Sequence, residues 1–187
     1  MMTGDEDVLT GFRLEYRRAV AAAQAAQAAA EHTHTALFDF AGELGRIVHD
    51  VVDGGNPLGL GVRFIRRAPP RLDAPTGVHV EDAPKERAPS FAAVVLETPD
   101  LWFEVRNDPA QGFQALTNVP GMEAYAARIC GVVGDGEGRP HLLQRVAGGD
   151  AVAVPEVNEA AQLLEVFLVI AGEVYARRTG MDRSAPR

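Results

Sequence analysis

Five histidines and a scatter of carboxylates are the residues of this 187-residue chain with the means to do chemistry, and their spacing limits what that chemistry can be. His32 and His34 stand two apart in Glu31-His32-Thr33-His34-Thr35. On a helix such side chains point about 200° apart, so they cannot share one ion without a second element. His49 and Asp53 stand four apart, with Asp50 between them, a spacing that can chelate from one helix face. A histidine in a last turn is also what the helix dipole favours, and no third ligand is near in sequence. A metal-dependent hydrolase using His32, His34 or His49 with Asp50 and Asp53 is thus the third-ranked reading, and no metal site is expected.

The other chemical candidates point to binding more than to catalysis. Arg63, Arg66, Arg67 and Arg71 form a basic patch able to grip an anionic ligand or an acidic partner. In an acidic chain such a patch more often balances the protein's own carboxylates. Asp135 and Glu137 in a glycine turn lack the full ligand series of a calcium loop and read as plain loop. Cys130, with only Arg128 as a basic neighbour, reads as an inert thiol. Trp102 falls on the polar face of its strand, where an aromatic serves either as a binding anchor or as a ring covered by another element. No stretch forms a catalytic or cofactor signature, and no cofactor is expected.

The elements that must position these residues begin with one long amphipathic helix over residues 3–53. Leu9, Phe12, Tyr16, Ala19, Ala23, Ala26, Ala30, Thr33, Leu37, Phe40, Leu44, Ile47 and Val51 alternate steps of three and four, a heptad seam. A continuous helix of about 50 residues is about 75 Å long, more than a domain of this size needs for its own core. Thr3 and Glu6 fit a capping box at its start, and Gly54-Gly55-Asn56-Pro57 ends it. Alanine from residue 19 to 30 makes the seam thin, and charged flanking pairs are nearly absent, which favours a bundle or antiparallel pairing over a parallel zipper. Leu9, Phe12, Tyr16, Ala19, Ala23 and Ala26 are the expected interface.

Beyond the helix, residues 58–180 read as an α+β domain. Leu58, Leu60, Val62 and Phe64 alternate as a strand with one buried face. Residues 68–90 carry five prolines among charges and read as a long exposed loop, with at most a brief strand at 78–80. Strands follow over 91–97, 101–106 and 113–117, then a short helix over 122–132. A hairpin over 141–154, with Gly148-Gly149 suited to a type I′ turn, leads to a final helix over 156–178 that is apolar nearly all round and therefore expected to be buried. Residues 181–187 read as a tail. The fold class expected is α+β: a long N-terminal amphipathic helix, an antiparallel sheet of about five to six strands, one short helix and a buried C-terminal helix.

Over residues 91–178 the order of three strands, helix, two strands and helix resembles the small acidic dimeric chaperones of bacterial type III secretion and their relatives. The resemblance is one of element order without a shared motif, and the first helix here is far longer than that pattern. It implies a dimer that binds another protein.

Composition narrows the function classes. A net charge of −8 argues against a nucleic-acid partner, which would need a basic face to meet phosphates. Of the eighteen basic residues only Lys85 is lysine, which reads as the codon bias of a GC-rich, bacterial genome. A single cysteine excludes an internal disulfide and suits a reducing compartment. The acids at 5–7 are unlike a signal peptide, and the longest apolar run, 166–172, is too short to span a bilayer. The expectation is a cytoplasmic, non-enzymatic homodimer or higher oligomer that binds another protein through helix pairing and a sheet surface, with no membrane partner. A small-ligand sensor using Trp102, Phe103, His79 and the arginines is the runner-up.

Overall fold

The fold comes from a computed structural model that describes residues 4–66, 73–83, 92–108, 110–146, 151–153 and 159–180, with side chains from Thr10 onward and without those of 151–153. Helix α1 spans Gly4–Val52. The chain divides into two compact units, Met1–His32 and Thr33–Arg187, so α1 contributes residues to both. The Thr3 cap, Arg67, Arg71, the 148–149 turn, the 181–187 tail and much of the proline-rich loop lie outside the described residues.

In the second unit α1 buries Leu37, Phe40, Ala41, Leu44 and Val48. The heptad pattern expected Ile47 and Val51 in this stripe instead. Ile47 is half-buried and Val51 is 50% exposed. An α-helix turns every 3.6 residues and drifts about 20° per heptad from a 3.5-residue repeat, so the stripe moves on to Val48. The helix stops where Gly55 N–H bonds the Val52 carbonyl, with Gly54 at a φ of 91° that favours glycine.

The main sheet contains β1 (Gly61–Arg66), β2 (Val78–Asp82), β3 (Ala92–Glu97), β4 (Trp102–Asp108) and β5 (Gly112–Thr117), in the order β2-β1-β3-β4-β5. Pairing is antiparallel except between β1 and β2, which run parallel with Val62 beside Val78. β1 begins later than the alternation suggests because Asn56 closes a loop first. Its amide donates to the Leu60 carbonyl and its Oδ1 accepts from the Leu60 N–H, both at 2.8 Å.

The expected helix over 122–132 is corrected. Only one turn forms, α2 (Glu123–Ala126), with Ala126 and the preceding Met122 buried, and the chain then enters strand β6 (Ile129–Gly134). Ile129, Val132 and Val133 are β-branched and Gly131 and Gly134 weaken a helix, so sheet pairing wins once the first turn is placed. Gly131 also leaves room for its neighbour: a Cβ there would sit 2.8 Å from the Leu143 side chain. β6 pairs with β7 (Pro140–Arg145), which pairs with β8 (Ala151–Ala153), giving a second, antiparallel sheet.

The final helix, α3 (Glu159–Arg178), buries Ala160, Leu163, Leu164, Phe167 and Ala171. Val166 and Val169 face outward, 43% and 60% exposed. One hydrophobic cluster joins this stripe, the buried stripe of α1, the inner sheet face of Val62, Phe64, Val94, Leu96, Phe103 and Val105, and Leu142 of the second sheet.

Candidate functional site

In the first unit, every side chain from Thr10 to Ala29 is exposed. Phe12 is 67% exposed, Tyr16 63% and Val20 38%. Ala19, Ala23 and Ala26 continue the same seam and are also exposed, while Leu9 has no described side chain. A helix draws most of its stability in water from packing an apolar stripe, and alanine propensity alone supports it only marginally. Two aromatic rings in water on one helix face are the largest apolar groups that the described N-terminal residues offer to another surface.

The outer face of the main sheet holds Arg63 and Trp102. Register places Arg63 beside Val95 and His79, and Trp102 beside Glu97. Arg63 donates to Glu81 (2.7 Å) and Glu97 (3.0 Å), and the Glu81 bond foremost holds its guanidinium more firmly protonated. Glu104 and Arg106 lie 3.6 Å apart on the same face. Burial pushes the Glu104 carboxyl up, against the pull of Arg106 and Arg63. Trp102 is half-buried, and its backbone is pinned by Asn118 Oδ1 (2.6 Å) and the Thr117 hydroxyl (2.8 Å).

Arg66 lies on the opposite, core-facing side of β1. It is 7% exposed, and its Nε donates to Asp82 at 3.2 Å. Alternation along the strand therefore puts Arg63 and Arg66 on different faces, each engaged with carboxylates of this chain, and does not merge them into one anion site. Arg66 also acts on His34, whose pKa falls through burial first and the nearby guanidinium second. The His34 ring meets Phe64 edge-on at 5.6 Å.

Among the described residues no three histidine, cysteine, aspartate or glutamate side chains gather in a group able to hold a metal ion. His49 lies 3.9 Å from Asp50, both exposed. Cys130 is half-buried and its thiol points to the Leu143 carbonyl at 3.6 Å. One cavity of about 240 Å³ lies between Leu58, Pro99, Tyr175 and Arg178, and a smaller one of about 130 Å³ lies between Met122, Tyr125, Gln162 and Val166. Neither is lined by Trp102, Phe103, His79 or Arg63, and both fall short of the few hundred Å³ typical of ligand sites.

A polar cluster inside the second unit was not visible in the sequence. Asp135 accepts from the backbone N–H groups of Glu137 and Arg139, both at 2.8 Å, and from His141 Nε2 at 3.2 Å. Those backbone bonds, that of Arg139 first, hold its carboxyl far below the usual carboxylate range. Glu159, 3% exposed at the start of α3, accepts the Leu142 N–H. Burial pushes the Glu159 carboxyl up. Tyr125 is pushed up to about 12, by burial first and by the charge of Glu159 second.

Three atoms of this cluster, His141 Nδ1, Glu159 Oε1 and Tyr125 Oη, are buried and find no hydrogen-bond partner among the described residues. Asp135 fixes the imidazole through Nε2, and among the described residues no group hydrogen-bonds its other nitrogen. The signal that would have disclosed Glu159 is its place on the buried stripe of α3, four residues before Leu163 and eight before Phe167. Comparison with protein-family models, curated proteins and solved structures finds no match for this chain.

Proposed function

We propose that this chain is a non-enzymatic, oligomeric interaction protein of the adaptor or chaperone kind, self-associating through the first-unit face of α1 and offering the outer sheet face around Trp102 to another protein. The observation that carries it is the exposure of Phe12, Tyr16 and Val20 on a helix whose described side chains from Thr10 to Ala29 all face solvent. Full burial of an aromatic or branched side chain is worth about 1.5–3 kcal/mol, so a symmetric pairing that covers these residues twice gains enough to offset much of the entropy of association.

The sheet face supports the second half of the reading. Arg63, Glu81, Glu97, Glu104 and Arg106 form a charged surface of mixed sign beside one half-buried indole, a combination that gives specificity through charge and adhesion through the ring. Among the described residues no helix is long and apolar enough to cross a membrane. The cytoplasm is the compartment proposed, on the single thiol and the acidic surface. Light scattering of the full chain at micromolar concentration tests the reading: a dimer or larger species supports it, and a monomer that stays monomeric on concentration overturns it.

A further inference from the structure

Resting on that self-association, we propose that the partner of the first unit is a second copy running antiparallel, with Phe12 against Ala30 of the partner, Tyr16 against Ala26, and Ala19 against Ala23. The seam has large side chains at one end and small ones at the other: Phe12 and Tyr16, then Ala19, Ala23, Ala26 and Ala30. Helices pack 8–10 Å apart according to the side chains between them, and this spacing must be shared along their length.

A parallel, in-register pair fails that requirement. It sets ring on ring at residues 12 and 16, forcing the axes apart, and alanine on alanine from 19 to 30, leaving a gap that the splayed helices cannot close. The antiparallel register places one large and one small residue in each outer layer. Only the two central layers, each Ala19 with Ala23 of the other chain, are small on both sides. There the flanking Val20 of each chain, 38% exposed in the single chain, lies next to the dyad and covers the gap.

The heptad phase agrees. With Tyr16 at position a, Phe12, Ala19 and Ala26 are at d and Ala23 and Ala30 at a, so every layer pairs an a with a d, as antiparallel coiled-coil seams do when knobs alternate with holes. The charges also permit it. Arg13 falls near Gln27 of the partner and Glu15 near Ala29, so no like charges meet across the seam. The two helix dipoles oppose each other, which is the favourable arrangement.

The register is tested by spin labels in the full-length protein in a Cys130→Ser background. Labels are placed one at a time at Leu14→Cys, Ala21→Cys and Ala28→Cys, three positions on the face away from the seam. In the proposed register the two labels at 21 lie level, whereas those at 14, and those at 28, are offset along the axis by about 21 Å at 1.5 Å per residue. The expected result is a distance minimum at 21 with similar, longer distances at 14 and 28. Equal distances at all three positions mean a parallel pair and overturn the orientation while leaving self-association intact. A minimum elsewhere overturns the register. No measurable distance between chains at any position overturns the self-association with it.

Ala26→Leu gives an independent readout by dilution. Against Tyr16 of the partner the added bulk should weaken dimerisation at least about tenfold, a loss typical of overpacking. A parallel pair would gain a leucine layer in its thinnest part, so tighter dimerisation by Ala26→Leu contradicts the antiparallel arrangement.

Discussion

Gly45 and Gly77 meet backbone to backbone where α1 crosses the turn leading into β2. A Cβ on Gly77 would overlap the Gly45 carbonyl and lie 2.9 Å from its carbon, and a Cβ on Gly45 would lie 2.9 Å from the Thr76 carbonyl oxygen and run into Val78. Gly77 also has a φ of 77°, where a side chain is strained. This contact is what lets the parallel strand β2 lie beside β1 under the helix.

Gly77→Ala is therefore expected to lower stability by about 2–4 kcal/mol, adding a left-handed strain to a backbone overlap. Gly54→Ala is the control, because it shares the positive φ but meets nothing within 4 Å. Its loss should stay within about 1–2 kcal/mol. Urea unfolding of the two variants compares them directly, and losses of equal size would mean that the close approach to Gly45 contributes nothing.

The two units of α1 should answer differently to the same substitution. Leu37 has no exposed surface, so Leu37→Asp places a carboxylate in the core and should cost about 4 kcal/mol or more, enough to unfold a marginally stable domain. Phe12 is mostly in water, so Phe12→Asp should leave the fold intact and act on association. Circular dichroism with light scattering separates the outcomes, and equal effects on folding would contradict the division of roles.

How far the sequence announces this structure depends on the element. The second-unit part of α1 and the strand β4 follow from periods of 3.6 and 2, because each has one buried face that its residues mark, whereas β3 is buried on both faces and follows from a continuous apolar run. Residues 122–132 misled because Met122, Tyr125, Ala126 and Ile129 keep a helical spacing, while the strand pairing of Ile129 with Gln144 depends on a residue fifteen positions away. The Gly45 contact is silent in sequence, since a glycine inside an alanine-rich helix carries no sign of what approaches it. Arg63 and Arg66 looked like one patch because linear proximity hides which side of a strand each occupies. Nothing in the linear order marks the bond that Glu159 accepts from the Leu142 N–H, seventeen residues earlier in the chain.

Tyr125 offers a spectroscopic test of the buried cluster. With its phenol pushed up to about 12, one of the three tyrosines should ionise only at the end of an absorbance titration. Tyr125→Phe should remove that late step. Because the hydroxyl is buried without a partner among the described residues, losing it should be neutral or raise stability by about 1 kcal/mol. A loss of 2 kcal/mol or more, on that same scale, would mean the hydroxyl has a partner after all.

Glu159 gives the pH dependence of the fold a definite sign. Burial raises its carboxyl above the ordinary glutamate value of 4.5, with the charge of Glu43 adding to the rise and the Leu142 N–H and His141 opposing it. A raised carboxylate keeps its proton in the folded chain after the unfolded chain has lost it. Its contribution to stability is thus greatest below 4.5 and declines as pH climbs through the unfolded and then the folded pKa. Glu159→Gln keeps an oxygen for the Leu142 N–H and has no proton to lose. The variant should be more stable than the parent at neutral pH, and the advantage should shrink on acidification towards pH 4. Glu159→Ala should lose stability at every pH, because it strands that buried N–H. Taking differences between variant and parent removes the opposite acid sensitivity of Asp135, which is common to both. A Glu159→Gln effect that is constant from pH 4 to pH 8 would show that the carboxyl titrates alike in the folded and unfolded chains.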